Sequence, residues 1–310
     1  MPDKFNPAPK TVLAAWLKDG QARKGSSSGG FFRVLASFVL QRGGVVFGAA
    51  FDENFRLRHI SAETERDCEG FYKSKYLQSD VGDTYKEAKG FLDAGRWVLY
   101  ASTACQIAGL YAFLGGDRER LVTCDLVCSG APAPRVFAKY LEYLEKKHGG
   151  KAVKVQFRPS LRFEFDNGKV YDTPMYDDPY GHGCGEALFL NALCGKCPYA
   201  RPERVGDFTL GDFWGLPNPP PHASEGISLV LTNSEKAAGL TLPPLYEYME
   251  RPFDQAIPKN TCLIRSVTHS PRREEFFRIL DTKPFGKAVA FMLPLYKRVG
   301  RKVRGILKGR

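Results

Sequence analysis

The sequence predicts an α/β fold, with a mixed sheet, flanking helices and a β-meander inserted in the second half. From residue 96 onward, apolar runs at 96–101 and 121–127 alternate with helical periodicity at 105–114 and 134–147. Such alternation belongs to a parallel or mixed sheet covered by helices. Asn167-Gly168, between 161–165 and 169–171, is a hairpin turn inside a meander spanning 151–178. A chain of 310 residues that is 43% apolar can also bury a full core.

Taken in order, residues 1–20 read as an irregular lead-in. Gly25-Ser-Ser-Ser-Gly-Gly30 then opens a helix with Phe31, Leu35, Phe38 and Val39 on one face. Three hydroxyls and three glycines at a helix start leave backbone N–H groups able to meet an anion, or simply cap the helix through a tight turn. Residues 44–51 form a buried-strand pattern, 52–54 a turn and 55–60 its hairpin partner. Ser74-Lys75-Tyr76-Leu-Gln-Ser79 reads as an edge strand or as the lining of a polar pocket, and 84–94 as a helix ending at Gly95. After the meander, 181–193 is a short helix carrying Cys184, 227–232 a strand and 272–280 a closing helix. A weak seam near residue 95 separates regions 21–95 and 96–285, and a tail follows over 286–310.

The net charge of +11 is concentrated in that tail. Eight cations and no acid lie from Lys287 to Arg310, which leaves +3 for the rest. Interleaved apolar residues give the tail the composition of a helix lying on an anionic membrane surface, or of a solvated terminus. Nucleic-acid binding would rest on this charge alone, and no nucleic-acid partner is expected. No apolar run reaches the roughly 18 residues that span a bilayer. The first ten residues lack the pattern of a signal peptide. A cytoplasmic protein is expected, with peripheral contact at the inner membrane surface through the tail.

Eight cysteines in a reducing compartment point to metal or redox chemistry rather than disulfides. Cys194-Gly-Lys-Cys197 is a knuckle whose spacing suits zinc, an iron–sulfur cluster or a dithiol. Cys105 and Cys128 each fall just past the carboxyl end of an expected strand, the edge where open α/β sheets bind ligands. If those strands are neighbours, both thiols share one crevice; otherwise they are small buried hydrophobes. Cys105 at a helix N-terminus also favours a thiolate. Cys68, Cys124, Cys184 and Cys262 lack paired spacing and read as packing residues, Cys184 being the one most open to another role. The five histidines form no array. Asp207 and Asp212 face opposite sides of an extended segment and are expected to fix backbone turns or a cation.

Ser26-Ser27-Ser28-Gly29-Gly30, Gly44-Val-Val-Phe-Gly-Ala49, Ser74-Lys-Tyr-Leu-Gln-Ser79, Cys105-Gln-Ile-Ala-Gly-Leu110, Asp125-Leu-Val-Cys-Ser-Gly130, Cys194-Gly-Lys-Cys197 and Gly211-Asp-Phe-Trp-Gly215 occur in one order. Together they resemble the coenzyme F-420 hydrogenase/dehydrogenase beta-subunit family, over residues 21–280. The resemblance implies that family's fold and an iron–sulfur flavoprotein oxidoreductase acting on a small-molecule substrate. It implies Cys105, Cys128, Cys194 and Cys197 as ligands of a 4Fe-4S cluster. It likewise implies Ser26, Ser27, Ser28, Gly29, Gly30, Ser74, Lys75 and Tyr76 as the FAD site, with Lys75 neutralising a phosphate or a reduced flavin. Ala104 and Ser129 stand where the family usually has Pro and His, and the ferredoxin-like cysteine run of many members is missing. Electrons are therefore expected from a separate ferredoxin-like donor. An accessory protein of surface-polysaccharide biosynthesis, with zinc or a structural cluster on the four cysteines, is the alternative.

Overall fold

Thr11–Leu17 forms β1, within the stretch expected to be an irregular lead-in. Its run Thr-Val-Leu-Ala-Ala-Trp-Leu lacks polar alternation because both faces are covered, and Val12, Ala14 and Ala15 are buried. The computed structural model describes residues 5–292, so 293–310, most of the expected tail, lie outside the described residues.

After β1, α1 (Gly20–Lys24) starts on the Asp19 carboxylate, which accepts from the N–H groups of Gln21 and Ala22. The expected helix follows the serine turn as α2 (Phe31–Leu40), and β2 (Val45–Phe51) pairs antiparallel with β3 (Leu57–Ala62). Residues 74–79 form no strand. The expected alternation then appears, displaced by no more than two residues: α3 (Thr84–Asp93), β4 (Val98–Thr103), α4 (Ala104–Leu114), β5 (Leu121–Leu126) and α5 (Pro134–His148). The meander is β6 (Ala152–Gln156), β7 (Leu161–Phe165) and β8 (Val170–Thr173).

The helix expected over 181–193 is instead α6 (Pro179–Gly185). Asp178 caps its start, Pro179 presets its first turn, and Ala187 adopts a left-handed φ of 51° that ends it. A separate 3₁₀ turn, Ala192–Lys196, carries Cys194. β9 (Phe208–Asp212), β10 (Ser228–Thr232), α7 (Glu235–Ala238), an unexpected strand β11 (Tyr246–Glu250), α8 (Arg273–Thr282) and α9 (Phe285–Met292) complete the chain. The start of the basic tail is thus the helix α9, with Ala288, Val289 and Met292 buried.

These elements form two compact units, and residue 95 falls inside the first. That unit comprises the chain up to Ser74 with Ser79–Ser129 and Cys197–Ser266. Its eight-stranded sheet has the order β11-β1-β10-β9-β5-β4-β2-β3, parallel across β2, β4, β5 and β9 and antiparallel elsewhere. Alternate residues of the central strands serve two cores. Val46, Leu99 and Val122 pack with Phe31, Leu35 and Phe38 of α2, while Phe47, Val98 and Tyr100 pack with Ile107, Leu110 and Tyr111 of α4. Burial of both faces explains why the central strands read as continuous apolar runs.

The second unit comprises Lys75–Gln78, Gly130–Lys196 and the chain from Val267. It contains the antiparallel meander and α5, α6, α8 and α9, around buried Phe137, Tyr140, Phe163, Tyr180, Phe189 and Phe276. Asp178 is enclosed there, its carboxylate accepting the hydroxyls of Tyr140 and Tyr171 and the N–H groups of Tyr180 and Gly181. Burial raises that carboxyl above its ordinary value, with the four donors opposing the shift.

Candidate functional site

β4 and β5 are parallel neighbours with Thr103 opposite Leu126, so Cys105 and Cys128 each leave the sheet two residues past the same register pair. The condition set on these thiols by the sequence is met: both stand at the carboxyl edge where α/β ligand sites form. Cys105 is exposed near the start of α4, its Sγ 3.2 Å from Thr103 Oγ1, and Cys128 is half-buried. The hydroxyls of Ser102 and Thr103 donate to Gln106 Oε1, and Gln106 Nε2 donates to the Ser79 carbonyl at 2.9 Å. The turn presenting Cys105 is therefore fixed by side chains.

Cys197 belongs to the same unit, and the loop after it is tied to β5 by a buried ion pair. Arg204 Nη2 lies 2.6 Å from Asp125 Oδ1, and the two side chains are 3% and 0% exposed. Asp125 also accepts the Gly206 N–H and the Thr209 hydroxyl, each at 2.8 Å. Arg204 donates further to the carbonyls of Tyr199 and Leu126. Every charge-bearing atom of the pair thus has partners, as a buried pair requires. Asp207 accepts from the N–H and hydroxyl of Thr123 and from Ser234, and pairs with Lys236 Nζ at 3.1 Å. It holds a backbone and a cation, as expected.

Cys68 and Cys124 are core residues, and burial pushes the Cys68 thiol up to about 12. Cys184 is no ligand candidate, because burial beside Tyr180 holds its thiol well above the ordinary range. Cys262 departs from the packing role. It is half-buried, and Ser129 Oγ stands 3.9 Å from its Sγ. Burial raises its thiol, and the neighbouring Cys197 adds to the shift.

In the second unit, Cys194 Sγ accepts the Ala131 N–H at 3.4 Å and the Cys194 N–H donates to the Asn191 carbonyl. The next residue, Gly195, donates its N–H to His269 Nε2 at 3.1 Å. Arg204 and His269 are the residues that sequence reasoning missed; no spacing rule links either to the cysteines they serve. Among the described residues, no three His, Cys, Asp or Glu side chains stand together closely enough to hold a metal ion. The donor chemistry fits a thiophilic metal or cluster, since all four proposed thiols lie outside the core.

Of the expected flavin residues, the structure brings Ser27 and Ser74 together, the Ser74 N–H donating to Ser27 Oγ. Ser26 donates to the Ala22 carbonyl and accepts from Arg33 Nε, while Ser28 donates to the Ile227 carbonyl. Two of the three hydroxyl protons are thus engaged by protein, and Ser27 keeps its own for a ligand. Gly29 packs so closely on β1 that a Cβ would lie 2.1 Å from the Ala15 carbonyl oxygen. Lys75 and Tyr76 belong to the second unit. There Tyr76 OH accepts from Arg158 Nε at 2.7 Å and the Tyr76 carbonyl accepts from Tyr180 OH. Burial brings the half-buried Lys75 ammonium down to about 7.

Residues 95–242 match the family model that describes the C terminus of the beta subunit in coenzyme F420 hydrogenase/dehydrogenase. A chain in the xenon-derivatised structure of the F420-reducing NiFe hydrogenase complex from Methanosarcina barkeri is similar in fold, with a TM-score of 0.55 at 17% identity. The similarity covers 84% of this chain and 90% of that one. No curated protein matches the sequence. No helix among the described residues is long and apolar enough to cross a membrane.

Proposed function

We propose, for a chain whose residues 95–242 belong to the coenzyme F420 hydrogenase/dehydrogenase beta-subunit family, an oxidoreductase function. Electrons would come from a separate ferredoxin-like donor and reach a small-molecule substrate, with a 4Fe-4S cluster and FAD as cofactors. When bound, the two cofactors couple one-electron delivery to two-electron reduction.

The chain's own residues would bind and orient these groups. Cys105, Cys128, Cys194 and Cys197 are the thiolates proposed for the cluster. The Asp125–Arg204 pair holds the loop after Cys197 against the strand that ends just before Cys128. Ser27, freed of any need to donate within the protein, is proposed with Ser26, Ser28, Gly29, Gly30, Ser74, Lys75 and Tyr76 for the flavin. Lys75, brought down to about 7, can sit beside an anionic group as a cation or give up its proton near neutrality.

The observation that carries this reading is the exit of Cys105 and Cys128 from adjacent parallel strands, two residues past one register pair. Anaerobic reconstitution tests it. About four iron, about four acid-labile sulfide and one flavin per chain are expected for a 4Fe-4S flavoprotein. A colourless, flavin-free chain holding a single zinc would contradict it and support a structural metal site instead.

A further inference from the structure

The geometry points to His269 as a positioning residue that sets the turn at 194–197 before any metal binds; this rests on the reading of that turn as part of a cluster site. His269 Nε2 accepts the Gly195 N–H at 3.1 Å and stands 3.0 Å from the Ala192 carbonyl oxygen, and both residues lie on the 3₁₀ turn Ala192–Lys196. A Cβ on Gly195 would lie 2.4 Å from His269 Cδ2 and 2.7 Å from Nε2. The ring's approach therefore demands glycine between the two cysteines. With Nε2 accepting, the ring proton sits on Nδ1, which is enclosed and has no hydrogen-bond partner among the described residues. The imidazole is thus held through one nitrogen, and that nitrogen faces the knuckle backbone.

Glycine inside a metal turn costs order: fixing one residue's backbone takes about 1–2 kcal/mol at 25 °C, most for Gly. His269 removes that freedom by occupying the Gly195 N–H and closing the space beside it. Cys194 is already held on both sides of its Cα, by the Asn191 carbonyl and the Ala131 N–H. His269 fixes the next link, so the thiol direction is set in the metal-free chain, and less order remains to be imposed when metal arrives.

Four full-length variants test the assignment. His269→Ala removes both the ring and the bond, and His269→Phe keeps the bulk without an acceptor. His269→Gln can accept from Gly195 through Oε1 and donate to Ala192 through Nε2. Gly195→Ala drives a methyl into the ring. Two quantities are measured: alkylation of Cys194 by iodoacetamide in the metal-free chain, read by peptide mass spectrometry, and iron retention against a chelator after reconstitution. The Ala and Phe variants are expected to speed Cys194 alkylation by about 5-fold or more. They are expected to weaken iron retention by about 10-fold, the size of effect that loss of an outer-shell partner has on metal sites. The Gln variant stays within about 2-fold of wild type in both. Gly195→Ala behaves like His269→Ala, and combining the two adds nothing further.

Cys68 and Cys124, buried in the core, report global opening in the same digest. If His269→Ala exposes them, the contrast between Phe and Gln decides, and equal behaviour of those two overturns the assignment. Wild-type alkylation and iron retention in both the Ala and Phe variants also overturn it. A wild-type chain that takes up no iron contradicts the proposed function, while the alkylation rates still decide the role of His269.

Discussion

At Lys75 the sequence offers a cation and the fold alters it. Its folded value of about 7 lies below the ordinary 10.5, so between those values the unfolded chain binds more protons than the folded one. Stability therefore rises with pH from about 7 to 10.5, and the desolvation cost is fully present below that window. The urea midpoint of the wild type is expected to climb between pH 7 and pH 9.5 more steeply than that of Lys75→Met. Parallel pH profiles for the two proteins would contradict the assignment of this slope to Lys75. His269 shows the opposite limit of legibility. It lies 74 residues from Gly195, and a lone histidine among scattered ones carries no periodic or spacing signal. The cysteine knuckle was readable because its chemistry is local; its support was not, because that support is made by tertiary contact.

Among the elements, the alternation from β4 to α5 was legible because each strand and helix declares its own period over a few residues. β1 was not, since a strand covered on both faces loses the polar alternation that marks a strand. β11 escaped for another reason. It is the edge strand of the sheet, short and polar at Glu247 and Glu250, and only its pairing with β1 gives it a place. α6 was drawn too long because Ala187, an ordinary helix former, takes the left-handed conformation that ends the turn. The tie between the loop after Cys197 and β5 belongs to this scale as well. Arg204→Met would leave the Asp125 carboxylate buried without its cation, at a cost of about 3–5 kcal/mol in urea unfolding. The double variant Arg204→Met/Asp125→Asn should recover part of that loss, because it buries no net charge. A loss under about 1 kcal/mol in the single variant would show that water or another cation replaces Arg204.

At the scale of the molecule, fold class and family resemblance were readable from ordered motifs, and both the family match over 95–242 and the shared fold agree with them. The division into units was not readable, because each unit is assembled from separate stretches and no linker composition marks the crossings. The expected concentration of charge in the tail falls largely on residues 293–310, outside the described residues. The central claim is that a redox cluster is held by four cysteines drawn from those stretches. It is tested most directly by reconstituting the wild type and the eight single Cys→Ser variants anaerobically, and counting iron and labile sulfide on each. The account predicts about four of each on the wild type and on the variants at Cys68, Cys124, Cys184 and Cys262, with loss of the intact cluster at Cys105, Cys128, Cys194 and Cys197. An iron-free wild type, or a cluster that survives replacement of Cys105 or Cys128, would contradict it.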